Sequence, residues 1–202
     1  MSLETSYRFI APFYDAFIEH ATRGARRHSL SRLPQQGTAR VLLSGAGTGL
    51  DFPFLPPRHD YTALDLTGAM LARARNKACG LRMEWVQGDS MALPFASHSF
   101  DCVVLHLIIA VVPQPQRCLA EATRVLKPGG NILLFDKFLR RGQRAWLRRS
   151  MNPLVGRMAT RLDVVFEDVL GTVPGLRVLS DQPVLARGWF RLIELQKEET
   201  DV

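Results

Sequence analysis

The stretch that decides the fold is residues 41–49, Val-Leu-Leu-Ser-Gly-Ala-Gly-Thr-Gly. A short apolar run followed by glycines at alternate positions predicts a buried β-strand that ends in a tight turn. Glycine lets the backbone approach a ligand closely, and a helix that follows such a turn directs its N-terminal N–H groups at that ligand. The stretch therefore predicts a nucleotide site at the end of the first strand.

Strand and helix patterns alternate outward from this turn, which predicts an α/β protein with a largely parallel sheet. The last two predicted strands follow one another directly, so we expect them to form an antiparallel pair at one edge. One helix is predicted through Met70, Leu71 and Ala74 with Thr67 as its N-cap. Another runs from Leu119 to Leu126 and is closed by the Lys-Pro-Gly-Gly sequence of residues 127–130. The further predicted strands are residues 61–65, 82–86, 100–107, 131–135, 176–179 and 188–195.

Length and composition favour one soluble domain. The chain has 202 residues, 47% of them hydrophobic, which is enough for one well-filled core and short for two. We expect a single domain over residues 1–202, with N-terminal cap helices (1–33), a cofactor-binding core (38–138), and a basic helical segment with a C-terminal strand pair (139–202). No signal-like segment or long apolar run is evident, so a cytoplasmic protein is expected.

The positive charge is concentrated in residues 137–161, which contain eight basic residues and no acidic one, within a chain of net charge +7. Such a patch favours an anionic partner: phospholipid headgroups, nucleic acid or an acidic substrate. Apolar residues repeat at helical spacing in the same stretch. An interfacial helix on an anionic membrane and an ordinary packed helix with a solvated basic face both fit this pattern.

Two acidic positions follow the glycine turn at informative distances. Asp65 ends the second predicted strand, 20 residues beyond Gly45, where a carboxylate accepts hydrogen bonds from both ribose hydroxyls of an adenosine. Asp89 lies in a Gly-Asp-Ser turn after the third predicted strand. The glycine turn and Asp65 together do not distinguish a site for NAD from a site for S-adenosylmethionine. The alternate glycine spacing, this acidic turn and the segment 93–101 that leads into strand four do separate them.

Four stretches in order resemble the motifs of class I S-adenosylmethionine-dependent methyltransferases of the quinone-biosynthesis and phospholipid branch. They are VLLSGAGTG (41–49), ALDLTGAMLARAR (63–75), VQGDSMALPFASHSFDCVV (86–104) and RCLAEATRVLKPGGNILLFD (117–136), and the resemblance extends over residues 7–138. It implies a Rossmann-like, seven-stranded, mostly parallel sheet with an antiparallel C-terminal edge pair and an N-terminal cap helix. It also implies S-adenosylmethionine as methyl donor and S-adenosylhomocysteine as product.

Within this branch, YRFIAPFYD (7–15), VVPQPQRCLAEATRVLKPGG (111–130) and FDKF (135–138) are most similar to bacterial phosphatidylethanolamine N-methyltransferases. The resemblance implies methylation of a lipid or small-molecule acceptor, most plausibly a phospholipid amine. By the same resemblance, the glycine turn lines the methionine end of the cofactor, Asp65 binds its ribose, Asp89 and Ser90 its adenine, and His106 lies beside the sulfonium. The expected cofactor-binding set is Gly45, Ala46, Gly47, Gly49, Asp65, Leu66, Met70, Asp89, Ser90, Met91 and His106.

Two departures from the family pattern stand out. Leu43 occupies the usually acidic position at the end of the first strand, where a carboxylate helps to orient the methionine part of the cofactor. The Arg-Asn pair that quinone methylases carry after the fourth strand is Ala110-Val111 here. The first departure predicts a weaker or altered cofactor site, and the second argues against a quinone as the methyl acceptor.

Methyl transfer needs few catalytic groups because it is an in-line displacement at an already activated carbon, governed by proximity and orientation. An amine nucleophile must be uncharged, so one base is useful. The candidates are His106, Tyr14 and Tyr7. The remaining histidines do not cluster as metal ligands, so no metal site is expected. The alternatives are a quinone or other small-molecule methylase, an RNA methylase, for which no RNA-binding module is evident, and a non-catalytic cofactor-binding or membrane-associating protein.

Overall fold

The computed structural model describes residues 20–139, 164–185 and 188–199. Seven strands form one sheet in the order β3-β2-β1-β4-β5-β7-β6. The first five strands pair in parallel, and β7 is antiparallel to both β5 and β6. The predicted fold class is therefore confirmed, including the antiparallel pair at the C-terminal edge. The strands are β1 (Arg40–Ser44), β2 (Asp60–Asp65), β3 (Arg82–Gln87), β4 (Phe100–His106), β5 (Leu126–Lys137), β6 (Leu176–Leu185) and β7 (Phe190–Lys197).

Helices accompany the strands in the alternation that the sequence predicts. Residues 20–30 form α1, and the later helices are α2 (Gly68–Arg75), α3 (Pro115–Val125) and α4 (Phe166–Leu170). A 3-10 turn, Phe52–Phe54, follows the glycine turn. Thr67 is the N-cap of α2 as predicted, but its side chain makes no capping bond within the helix.

Successive strand residues point to opposite faces, and this alternation builds two cores. Leu42 and Val103 pack into the cluster that contains the apolar side of α3, whereas Leu43 and Val104 pack into the cluster on the other face. The second cluster also contains Leu30 at the end of α1, together with residues of α2. The central strands are thus buried on both faces, which positions α1 and α2 on the same side of the sheet.

One predicted boundary is wrong. Residues 127–130 were expected to close α3 as a loop, but they already belong to β5, which begins at Leu126 opposite Phe100. The pairing with β4 shifts register between Phe100 and Cys102. A Cβ on Gly130 would lie 2.8 Å from the carbonyl oxygen of Asp101, so this glycine allows β5 to approach β4 closely. The Gly-Gly pair serves a bulged strand rather than a helix end.

Candidate cofactor and active site

The carboxyl ends of β1, β2, β3 and β4 meet at one edge of the sheet because these strands are parallel neighbours. Ser44 pairs with Leu64, and Asp65 pairs with Gln87, so the turns after β1, β2 and β3 lie side by side. His106 ends β4, the neighbour of β1 on its other side. The chain reverses its direction of winding between β1 and β4, and open α/β sheets bind ligands at such a point.

The glycine turn has three left-handed backbones, and its glycines have different neighbours. Gly45, Gly47 and Gly49 have φ angles of +77°, +55° and +76°. A Cβ at Gly45 would lie within 2.9 Å of Ile108, and one at Gly49 within 2.8 Å of Phe52. A Cβ at Gly47 would meet nothing within 4 Å. Gly47 therefore faces open space, whereas the outer two glycines are required by packing of the protein itself.

Asp65 is oriented by the backbone at the tip of β2. Its Oδ2 accepts a hydrogen bond from the N–H of Gly47 at 2.9 Å, and its Oδ1 accepts bonds from the N–H and the hydroxyl of Thr67 at 3.0 and 3.2 Å. The carboxylate thus joins the glycine turn to the start of α2. Each carboxylate oxygen can accept two bonds, so capacity for a ligand hydroxyl remains.

The acidic turn after β3 is also well ordered by hydrogen bonds. Asp89 Oδ1 accepts the N–H of Met91 at 2.8 Å, and the hydroxyl of Ser44 donates to the buried hydroxyl of Ser90 at 2.8 Å. The turn after β3 is therefore connected directly to the end of β1. Of the remaining predicted cofactor residues, Met70 is half-buried and Leu66 is 66% exposed.

His106 lies at the centre of a buried polar network that the sequence did not reveal. Its Nδ1 is 2.7 Å from Asp51 Oδ1, and its Nε2 is 2.9 Å from the hydroxyl of Ser29 on α1. Arg26, also on α1, donates to the same Asp51 oxygen at 2.8 Å and to Thr22 at 3.0 Å. The imidazole is only 1% exposed. His106 is therefore at the predicted place, but its ring is enclosed by protein groups.

The charge of Asp51 follows from this surrounding. Burial raises the pKa of the Asp51 carboxyl, but the Arg26 guanidinium and His106 outweigh burial and hold that pKa well below its usual range. The carboxylate is consequently ionised throughout the physiological range. Sequence reasoning missed this acid, although an aspartate two residues beyond the glycine turn, among apolar neighbours, was a usable signal.

Leu43 cannot substitute for the family carboxylate. Its side chain is 2% exposed and packs among apolar residues on the α1 and α2 face of the sheet. On the same face, the buried carboxylate nearest in sequence is Asp51, and it is committed to Arg26 and His106. The site therefore contains a buried anion, placed on the turn after β1 rather than at its last residues.

A second buried carboxylate anchors the loop after β4. Asp136, at the end of β5, is fully buried and accepts the N–H of Ala110 at 2.9 Å and that of Lys137 at 2.7 Å. Burial raises the pKa of Asp136 to about 6, and the two backbone donors oppose this rise. Leu107, directly after His106, has a left-handed φ of +58°. The loop that begins at Leu107 is thus strained and fixed, and it carries the Ala110-Val111 pair.

These residues fit an adenosine bearing a thioether or sulfonium side chain. Gly47 presents an uncovered backbone, and Asp65 and Asp89 place two carboxylates at neighbouring strand ends, where they could accept hydrogen bonds from ribose hydroxyls and an exocyclic amine. Within the described ranges, no three His, Cys, Asp or Glu side chains are grouped so that they could bind a metal ion. Tyr7, Tyr14 and the basic residues from 140 to 161 lie outside the described residues.

Comparison with known proteins gives one consistent result. Residues 42–134 match the family described as a methyltransferase domain. The chain is 31% identical over 189 residues to the phosphatidylethanolamine N-methyltransferase of Cereibacter sphaeroides, which covers 91% of this chain and 92% of that protein. It is 39% identical over 110 residues to the ubiquinone/menaquinone biosynthesis C-methyltransferase UbiE of Roseobacter denitrificans, which covers 51% of this chain and 44% of that protein. The chain thus spans less than half of the second relative.

Among solved structures, a methyltransferase described as putative from Bacillus halodurans superposes with a TM-score of 0.73 at 20% identity. The superposition covers 87% of this chain and 99% of that one. At this identity, the likeness establishes the shared fold.

Proposed function

The chain belongs to the class I S-adenosylmethionine-dependent methyltransferases, and we propose that it methylates the amino group of a phosphatidylethanolamine-type phospholipid. The observation that supports this acceptor is the alignment to the Cereibacter sphaeroides enzyme along 92% of that protein's length. This alignment extends beyond the cofactor core, so it supports a shared acceptor as well as a shared methyl donor.

The proposal assigns the cofactor to the carboxyl edge of β1, β2 and β3. The open backbone at Gly47 would admit the methionine part, the Asp65 carboxylate would accept the ribose hydroxyls, and Asp89 with Ser90 would bind the adenine. When bound, S-adenosylmethionine supplies an activated methyl group whose bonding electron pair leaves with sulfur. The full proposed set is Gly45, Ala46, Gly47, Gly49, Asp65, Leu66, Met70, Asp89, Ser90, Met91 and His106.

We assign general-base catalysis to His106. The acceptor is an ammonium at neutral pH, and it must lose one proton before its nitrogen can form the new bond to carbon. His106 ends β4 next to the glycine turn, within the point where the winding of the sheet reverses. The ionised Asp51 at 2.7 Å would stabilise the imidazolium that forms. Tyr14 and Tyr7 remain the other candidates for contact with the acceptor.

A lipid acceptor requires contact with a membrane surface, and the edge that carries the site has suitable residues. Leu66 after β2, Val111 after β4 and Trp189 before β7 are 66%, 39% and 43% exposed. Leu66 and Val111 follow the carboxyl ends of parallel strands. Trp189 lies at the same edge of the sheet, because the antiparallel β7 begins opposite the end of β5. Together with the basic residues of 137–161, they support peripheral binding to an anionic bilayer. Among the described helices, none combines the length and apolarity needed to cross a bilayer.

The test is transfer of a labelled methyl group from S-adenosylmethionine to vesicles of phosphatidylethanolamine and phosphatidylglycerol. Vesicles in which phosphatidylcholine replaces phosphatidylethanolamine are the matched control, because their nitrogen is already fully methylated. We expect label in the ethanolamine lipid and none in the choline lipid. Folded, S-adenosylhomocysteine-binding protein that labels no lipid would refute the proposed acceptor.

Quinone methylation is the second candidate, favoured by the 39% identity to the Roseobacter denitrificans protein over the core. The Ala110-Val111 pair argues against it, since neither side chain can hydrogen-bond a quinol oxygen. Vesicles that contain a demethylated quinone in place of phosphatidylethanolamine separate the two proposals. Label in the quinone alone would replace the phospholipid proposal by this one.

A further inference from the structure

The side-chain network around His106 links three elements that are distant in sequence. Ser29 and Arg26 come from α1, Asp51 from the turn after β1, and His106 from the end of β4. All four residues are buried, with exposed fractions of 4%, 6%, 6% and 5%. A buried chain of this kind is stable only when its donors and acceptors are matched, so the hydrogen-bond directions can be deduced.

The ionised carboxylate of Asp51 can only accept hydrogen bonds, so the Nδ1 of His106 must carry a proton. When the imidazole is neutral, its lone pair is on Nε2, and the hydroxyl of Ser29 donates to that nitrogen. Arg26 donates to the same Asp51 oxygen, and its charge keeps that carboxylate ionised and in position. With His106 neutral, the hydrogen bonds of Ser29, His106 and Asp51 therefore run in one direction, from hydroxyl to imidazole to carboxylate.

This direction resolves a difficulty in the assignment of His106 as base. Both ring nitrogens are already paired, so an acceptor proton can reach the imidazole only through one of the groups bonded to it. The group bonded to the basic nitrogen is the Ser29 hydroxyl. Oxygen in a hydroxyl retains lone pairs when its proton points to Nε2, so it can accept a proton while it gives one up.

We propose that Ser29 relays the acceptor proton to His106, with Asp51 and Arg26 as positioning residues. The step rests on the proposed amine methylation. A proton leaves the ammonium of the acceptor for the Ser29 oxygen, and the original hydroxyl proton moves to Nε2. Serine ends unchanged, His106 becomes an imidazolium paired with Asp51, and the amine becomes neutral before it accepts the methyl group. The imidazolium later returns its proton to solvent.

The first test compares Ser29→Ala, Ser29→Thr and Ser31→Ala in the phosphatidylethanolamine vesicle assay. Ser31 directly follows α1, and its exposed hydroxyl donates to the carbonyl of His28, so it is the matched control. We expect Ser29→Ala to lower kcat about 10²- to 10⁴-fold, the typical contribution of an acid–base group, with the KM for S-adenosylmethionine changed by less than about twofold. Ser29→Thr keeps a hydroxyl and should retain most activity, as should Ser31→Ala.

The second test does not depend on turnover. In protein labelled with ¹⁵N-histidine, the His106 signals, identified by their loss in His106→Gln, should show Nδ1 protonated and Nε2 with a lone pair. Asp51→Asn should disturb this tautomer, and Ser29→Ala should shift Nε2 alone. Opposite protonation in the wild type overturns the relay.

The two proposals fail separately. An active wild type whose Ser29→Ala variant has an unchanged kcat overturns the relay and leaves phospholipid methylation standing. A wild type that labels no phospholipid overturns the proposed function and the relay with it, whatever the tautomer of His106.

Discussion

Replacing Gly47 by alanine should weaken cofactor binding at small cost in stability, and Gly37→Ala is its matched control. Both glycines have left-handed backbones, with φ of +55° and +67°, and a Cβ on either would meet nothing within 4 Å. Gly37 precedes β1 at the opposite edge of the sheet, whereas Gly47 follows it. The two substitutions thus impose a similar backbone strain, but only one places a methyl group where the cofactor is expected.

The magnitudes follow from these surroundings. A left-handed alanine costs about 1–2 kcal/mol, and the reduced freedom of the unfolded chain returns about 0.4–1 kcal/mol, so each variant should lose about 1 kcal/mol. For a chain of this size that lowers Tm by about 2–4 °C. Forcing a methyl group into a filled site costs about 1–3 kcal/mol, so S-adenosylhomocysteine should bind Gly47→Ala about 5- to 150-fold more weakly.

Calorimetric titration with S-adenosylhomocysteine and thermal unfolding measure the two effects on the same samples. We expect equal, small shifts in Tm for both variants and a loss of affinity in Gly47→Ala alone. Unchanged affinity in Gly47→Ala would show that the methionine part of the cofactor does not approach this backbone. Equal loss of affinity in Gly37→Ala would show that general destabilisation, and not a local contact, is responsible.

Three further predictions concern two carboxylates, Asp65 and Asp136, and Leu43, which occupies a position that is usually acidic in the family. Asp65→Ala should lose about 10- to 150-fold in affinity for S-adenosylhomocysteine, because it removes a charge-assisted ribose bond. Calorimetry that finds wild-type affinity would exclude Asp65 as the ribose ligand. Burial raises the pKa of Asp136 from its ordinary 3.8 to about 6, so this carboxyl binds a proton more tightly in the folded state than in the unfolded state. The free energy of unfolding should therefore decrease as the pH rises from about 4 to about 6. Between pH 4.5 and pH 7.5, the free energy of unfolding measured with urea should therefore fall by about 2 kcal/mol less in Asp136→Asn than in the wild type. An equal fall in both proteins would contradict the raised pKa of Asp136. Leu43→Asp should lose about 3–5 kcal/mol by burying an unpaired charge, while Leu43→Met loses less than about 1.5 kcal/mol, and an equally stable Leu43→Asp would show that this position can be solvated.

Most of the fold could be predicted from local sequence patterns, because its strands and helices differ in the spacing of their hydrophobic residues. The continuous apolar run of β4 predicted a strand buried on both faces, and the two cores of the sheet confirm it. The error at residues 127–130 has a defined cause. A Pro-Gly-Gly sequence is compatible both with a helix end and with a bulged strand, and the decision depends on the approach of β5 to β4, which no local pattern contains.

That the candidate cofactor residues lie close together was predictable for the same reason as the fold. Its residues follow strand ends, and parallel strands bring those ends to one edge. The surroundings of His106 were not predictable. Ser29 and His106 are 77 residues apart, and Asp51 and His106 are 55 apart, so only the docking of α1 on the sheet unites them.

By itself the sequence determined the α/β architecture, the glycine turn and the acidic strand ends, since each depends on residue types within a few positions of one another. Tertiary structure alone decided that Gly47, and not its neighbours, faces open space, that Leu43 is enclosed in an apolar cluster, and that the buried anion of the site is Asp51. These outcomes depend on which side chains from distant segments occupy the same volume. Packing and charge pairing across the sheet determine that, and they become defined only when the whole chain has folded.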